Sequence, residues 1–230
     1  LGECYYNGHG VVQCYETAFE WYRRAADQGH AKAQFMLAEF YYYGYGVEQS
    51  YETAVKWYRR AADQGDGVAQ NNLGECFYYG DGIEQSYEVA VEWYRRAADE
   101  GTSCAQFALG NMYYNGYGVE QSYEIAVKWY RRAADQGDAN AQYNLGFCYH
   151  KGHGVEQNYK LAVEWYRRAA DHNNADAQFN LGNCYINGHG VEQSYETALW
   201  YRRAADQGNA ITQFNLGNSY YNGHGVEQSY

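Results

Sequence analysis

The sequence predicts an all-α solenoid of 36-residue helix-turn-helix repeats. Three observations carry this prediction. A Leu-(Gly/Ala) pair recurs at Leu1, Leu37, Leu73, Leu109, Leu145, Leu181 and Leu216. A Trp-Tyr pair recurs at Trp21, Trp57, Trp93, Trp129, Trp165 and Trp200, and both pairs keep a 36-residue spacing until the sixth unit, which lacks one residue. Between these landmarks lie two stretches of helical periodicity, each ending on glycine, in a chain that contains 26 glycines and no proline. A fixed period of this length is the signature of stacked supersecondary units.

The elements run in order within the second unit. The first helix is expected at about Ala33 to Tyr43, with Leu37 and Tyr41 four apart on one face and Ala38 beside them. Glycine fills the Ala38 slot in other copies, which permits close helix approach at a cost in helix propensity. Gly44-Tyr45-Gly46 then stops the helix. The second helix is expected at about Tyr51 to Gln64, after Ser50 as N-cap. Glu52 in its first turn and Arg59-Arg60 near its end both suit the helix dipole. Ala54, Trp57 or Tyr58, and Ala61 form its buried face, and Gly65 closes it. One hairpin of this size cannot bury both faces, so neighbours must stack with equivalent helices roughly 8–10 Å apart. No linker or shift in composition interrupts the pattern. The expected organisation is therefore one array over residues 1–230, about six repeats, partial at both ends and a fragment of a longer array. In the sixth unit Ala198-Leu199-Trp200 stands where the fifth has Ala162-Val163-Glu164-Trp165. Losing one helical residue rotates the remainder of the helix by about 100°, so that helix must bulge, tighten or slip.

Composition excludes several classes. Aromatics make up 19% of the chain, ample core material for a folded protein. No apolar run approaches the ~20 residues of a membrane span. Net charge is −11, and all twelve arginines sit in one Arg-Arg doublet per repeat. Arginines so placed belong to the repeat framework rather than to a phosphate-binding stripe, so neither nucleic acid nor an anionic membrane is an expected partner.

The residues Ala33, Leu37, Tyr41, Gly44, Gly46, Val47, Ala54, Trp57, Tyr58, Ala61, Ala62 and Gly65, repeated in register through the chain, resemble the Sel1-like repeat family, relatives of the tetratricopeptide repeats. The resemblance implies a right-handed α/α superhelix and a role as adaptor or assembly platform. It brings no catalytic residue with it. Secreted bacterial members carry a disulfide in each repeat; Cys104 occupies the second slot of that bridge, but Ala98 stands at the partner position, so the bridging pattern is absent.

The residues that invite chemistry have plainer explanations. Cys4, Cys76, Cys148 and Cys184 share one slot of different units, farther apart than the ~7 Å Cα limit for a disulfide. Cys14 replaces the serine N-cap and Cys104 a small alanine. Reduced structural thiols are expected, with Cys4–Cys14 the one pairing left open. That usage, with no Asn-x-Ser/Thr sequon in the chain, favours a reducing, cytoplasmic compartment. His9, His153, His189 and His224 lie in the Gly-x-Gly loop as a repeated loop filler, and repeat spacing keeps them from sharing a zinc ion at ~2 Å ligand distances. The loop has neither the preceding strand nor the Lys-Ser/Thr of a phosphate cradle. No catalytic, metal or cofactor site is expected.

Repeat arrays bind through the face that varies over a constant core. Subtracting the framework leaves three first-helix slots at i, i+3 and i+7, one stripe. In order they hold Met36, Glu39 and Tyr43; Asn72, Glu75 and Tyr79; Ala108, Asn111 and Asn115. They continue with Asn144, Phe147 and Lys151; Asn180, Asn183 and Asn187; Asn215, Asn218 and Asn222. In tetratricopeptide-like stacking the stripe faces a concave groove. Asparagine is a poor helix former, yet it dominates here. Its amide complements the backbone of an extended peptide, with Glu39, Glu75 and the neighbouring tyrosines adding selectivity. The expected function is a non-enzymatic scaffold or adaptor that binds a partner protein or peptide. The alternatives are an ordinary solvated polar face, and an assembly element in which array ends self-associate into filaments.

Overall fold

In the computed structural model the described residues are 1–194, Trp200, Gln213 and Phe214. Ala198, Leu199, Asn215, Asn218, Asn222 and His224 lie outside them. The described residues form eleven α-helices and no strand: α1 Gly2–Asn7, α2 Tyr15–Asp27, α3 Ala31–Tyr43, α4 Tyr51–Ala62, α5 Gly67–Tyr79 and α6 Tyr87–Asp99, then α7 Ser103–Asn115, α8 Tyr123–Asp135, α9 Ala139–Lys151, α10 Tyr159–Asp171 and α11 Ala175–Asn187. Odd-numbered helices are the first, even-numbered the second, of each hairpin. The chain divides into two compact units, Leu1–Gln121 and Ser122–Tyr230. Within the first, each helix from α1 to α7 packs on the next; within the second, α8 to α11 do the same.

The helix ends obey local chemistry. Ser50 Oγ accepts the Thr53 N–H at 3.2 Å, and Ser86 and Ser122 cap α6 and α8 in the same way. Gly44 ends α3 at φ 74°, a left-handed conformation that glycine adopts at no steric cost. The first helix starts at Ala31, two residues before the expected position, because His30 caps it by accepting the Ala33 N–H. Cys14, in place of serine, makes no cap hydrogen bond to its helix.

The Trp-Tyr pair divides its labour. Tyr58, Tyr94, Tyr130 and Tyr166 are the core residues, at most 3% exposed, beside fully buried alanines. Tryptophan varies, half-buried at Trp57 and Trp129 but buried at Trp93 and Trp165, and Arg60 lies 4.4 Å over Trp57 and Arg96 4.5 Å over Trp93. These doublet arginines therefore serve as lids on the seam. Leu37, Leu73, Leu109, Leu145 and Leu181 are buried, as are Phe40, Cys76, Met112, Cys148 and Cys184 in the shared slot. All six cysteines, Cys4 and Cys14 among them, are free thiols. Burial pushes Cys76 and Cys148 up to about 12.

Two repeated contacts stand out among those that join successive hairpins. A buried glutamine at the start of each first helix donates its Nε2–H to a carbonyl in the last turn of the preceding second helix. Gln34 reaches Ala26, Gln70 reaches Ala62, Gln106 reaches Ala98, Gln142 reaches Ala134 and Gln178 reaches Ala170, at 3.0–3.2 Å. The Gly-x-Gly loop makes the other. A Cβ on Gly82 would lie 2.3 Å from the Tyr51 carbonyl carbon, so the loop can sit on the preceding second helix only as glycine. Its middle residue stacks on that helix's first tyrosine: Tyr117 on Tyr87, His153 on Tyr123 and His189 on Tyr159, at 4.7–5.1 Å between ring centres. The loop histidines are thus more than filler; they are stacking residues of the seam.

Candidate partner-binding face

The i, i+3, i+7 slots of α3, α5 and α7 lie in the first unit, and those of α9 and α11 in the second. In every case the last slot is exposed and the first two are half-buried, except that Glu75 is itself exposed. The spacing therefore places one face of each first helix toward solvent, while Leu37 and its equivalents hold the opposite face in the core.

In the first unit the stripe converges on a polar cluster. Glu39 Oε1 accepts hydrogen bonds from the Tyr58 hydroxyl and, at 3.0 Å, from Asn72 Nδ2 of the next first helix. Asn71 Nδ2 donates to Glu75 Oε1 at 3.1 Å and to Asn72 Oδ1 at 3.3 Å. Burial by surrounding protein raises the carboxyls of both Glu39 and Glu75 above the usual range, and the charge of Glu39 adds to the rise at Glu75. Glu75 thus touches water yet is crowded by protein, as a residue recessed in a surface would be. Tyr43 and Tyr79 stand beside the cluster, 53% and 66% exposed. The Tyr43 hydroxyl is raised by burial first and then by Glu39, Tyr45 and Glu75. A cavity of about 200 Å³ opens beside Glu75, bounded by Tyr79, Tyr94, Phe107 and Asn111.

The asparagines form a different arrangement. Asn115 Nδ2 donates to the Asn111 carbonyl at 2.9 Å, Asn187 to the Asn183 carbonyl at 2.9 Å, and Asn180 to the Asp176 carbonyl at 3.0 Å. Each turns one N–H back on its own helix, four residues upstream. In Asn115 and Asn187 the amide oxygen and the second N–H remain as the groups that would face a peptide. In the second unit Asn180 also approaches the Tyr143 hydroxyl at 3.5 Å, linking α11 to α9, and Lys151 lies 5.8 Å over the Phe147 ring. Glu39, Asn72 and Glu75 are therefore brought together across repeats, whereas the asparagine pairs of α7 and α11 are bonded within a helix.

Sequence reading passed over Asn71. It occupies the slot held by Phe35, Phe107, Tyr143 and Phe179 in other repeats, and that departure from an aromatic pattern was the available signal. No group of three or more His, Cys, Asp or Glu side chains that could hold a metal ion occurs among the described residues. No described helix is long and apolar enough to cross a membrane.

The Sel1 repeat family matches at residues 1–30, 31–66, 67–102, 105–138, 139–174, 175–209 and 210–230, and the chain belongs to that family. A structure of c5321, a protective antigen of uropathogenic Escherichia coli strains displaying an SLR fold, is 36% identical over all of this chain with a TM-score of 0.94. The chain spans 49% of the length of that relative. A Sel1 repeat protein from Oxalobacter formigenes is 33% identical over 99% of this chain and 90% of its own length, with a TM-score of 0.88. The immunity protein Pa5087 from Pseudomonas aeruginosa, 24% identical over 87% of this chain and 75% of its own, shares the fold at a TM-score of 0.54. The comparison with curated proteins finds no match. Sel1 repeat proteins are in general protein-interaction scaffolds, and their fold is typically non-catalytic.

Proposed function

We propose that this chain is a non-enzymatic interaction scaffold that holds an extended segment of a partner protein along the solvent face of its first helices. The contact residues are Glu39, Tyr43, Asn72, Glu75, Tyr79, Asn111 and Asn115 in the first unit, and Asn144, Lys151, Asn180, Asn183 and Asn187 in the second. Asn215, Asn218 and Asn222 continue the pattern in sequence. One observation carries the reading: the variable slots of α3 and α5 meet in side-chain contact, Glu39 to Asn72 at 3.0 Å, on the face the core does not use. A polar and aromatic face shared by successive repeats suits a ligand that runs from repeat to repeat, each contact adding to the last.

The test is comparative capture. The chain and a variant with Asn180, Asn183, Asn215 and Asn218 changed to alanine are used as baits in extract from the native source, after circular dichroism establishes equal helix content. The reading expects specific proteins to be lost from the variant. An identical captured set removes the asparagine stripe from the account.

A further inference from the structure

The first-unit cluster carries more acceptors than donors. Every hydrogen bond to Glu39 and Glu75 falls on Oε1. Oε2 of each carboxylate accepts nothing among the described residues. Neither carboxylate has a cationic partner there, the one ion pair of described residues being Lys56–Glu52 on the surface of α4. Asn71 supplies the independent observation. It is 4% exposed, its amide reaches both Glu75 and Asn72, and its Oδ1 is buried without a hydrogen-bond partner. Buried polar atoms are almost always satisfied, and leaving one unmet costs about 1–3 kcal/mol. Asn71 Oδ1 is thus an unmet buried oxygen in the slot where the repeat pattern would place an aromatic ring, and the two carboxylates its hydrogen-bond network reaches keep Oε2 atoms that accept no protein donor.

We propose that Glu39, Glu75 and Asn71 form a recognition site for one basic side chain, arginine or lysine, of the bound partner segment. This inference rests on the scaffold reading and names the chemistry its first unit selects. A guanidinium offers five N–H donors and no acceptor, and an ammonium three, which matches a site of surplus oxygens. Tyr43 and Tyr79 at the rim supply aromatic faces against which such a cation is attracted. On the Glu75 and Tyr79 side of the cluster, a cavity of about 200 Å³ is below the 300–1,000 Å³ typical of small-molecule sites and suits a single long side chain. The acidic chain, with net charge −11, draws a basic segment toward this face. Tyr58 and Asn72 hold Glu39 in place without supplying a positive charge, which leaves that role to the entering side chain.

The experiment uses the full chain and three fluorescent peptides of alanine and serine, identical except for a central Arg, Lys or Gln, in fluorescence polarisation titrations. The site predicts that Arg and Lys peptides bind at least fivefold more tightly than the Gln peptide. The preference falls to parity in Glu39→Gln/Glu75→Gln and shrinks in Asn71→Leu. The double variant stays folded, because glutamine keeps the Tyr58 and Asn72 contacts; its melting temperature equals or exceeds that of the unaltered chain. Equal affinity for the three peptides in the unaltered chain overturns the proposal, as does a preference that survives the double variant. Calcium ions alone, titrated as a separate arm, overturn it if they bind saturably to the same carboxylates and displace the Arg peptide. The two proposals fail separately: a captured set lost on asparagine replacement but indifferent to the glutamate variants leaves the scaffold standing without this site.

Discussion

The glutamine that links successive hairpins gives a prediction whose size comes from counting bonds. Gln34 and Gln70 occupy the same slot in the same compact unit, and each donates to a carbonyl of the preceding helix at 3.2 Å. Those carbonyls keep a second donor, Gly29 N–H on Ala26 at 2.9 Å and Gly65 N–H on Ala62 at 3.0 Å, so removing glutamine orphans neither. The difference lies in the amide oxygen. Gln34 Oε1 accepts from Gln64 Nε2 at 2.7 Å, whereas Gln70 Oε1 is buried with no partner. Leucine at position 34 therefore forfeits two hydrogen bonds at about 1 kcal/mol each. Leucine at position 70 forfeits one, but also relieves an unmet buried oxygen at about 1–3 kcal/mol. Gln34→Leu should lose about 2 kcal/mol and Gln70→Leu should be neutral or stabilised. At roughly 2–4 °C per kcal/mol for a chain of this size, the variants should melt roughly 4–8 °C apart. Circular dichroism during thermal and urea unfolding reads the difference. Equal losses from the two substitutions would refute the bond count.

Other expectations are as specific. Gly65→Ala meets open space at φ 87° and should lose only left-handed strain, about 1–2 kcal/mol. Gly82→Ala adds a 2.3 Å approach to the Tyr51 backbone, so urea unfolding should show a loss of about 3 kcal/mol or more. Native alkylation at neutral pH, read by mass spectrometry, should label exposed Cys104 and spare Cys76 and Cys148, whose buried thiols sit near 12. The raised carboxyls of Glu39 and Glu75 favour the folded state below their ordinary pKa and lose that contribution as pH rises through the folded value. The Glu39→Gln/Glu75→Gln chain should accordingly gain most over the unaltered chain at neutral pH and converge with it in acid, as followed by thermal melts across pH.

How much of this was legible in the sequence depends on whether a residue acts by pattern or by exception. Period, helix ends and caps were readable because each repeats and each rests on local chemistry: Ser50 caps, Gly44 turns left-handed, Leu37 is buried. The choice between Trp57 and Tyr58 was not, because both fit the helical period. It is settled by packing, which buries the tyrosine and leaves tryptophan under an arginine. The linking glutamine was visible in every repeat but silent, since a polar residue near a helix start reads as solvated until the preceding helix end is placed beside it. The loop histidines read as filler for the same reason: their stacking partners stand thirty residues upstream, in the second helix of the hairpin before.

The face that varies is a matter of exception, and its exceptions are of unequal weight. Asparagine at positions 115, 180 and 187 is partly accounted for by its bond to the helix backbone, which a solvated helix could use without any ligand. Glu39 and Glu75 have no such account. Burial raises both carboxyls, a cost to the fold at neutral pH that Asn71 compounds with its own unmet oxygen. An apolar or aromatic residue at each position, as the neighbouring repeats provide in Phe35, Phe107 and Phe147, would remove that cost without altering the repeat. Groups that destabilise a framework able to do without them are characteristic of binding sites, where the compensating donors arrive with the ligand. The stability gain expected on replacing the two glutamates and the loss of preference for a basic peptide are therefore two readings of one arrangement. Observing the first without the second would leave strain in the first unit with no function attached to it.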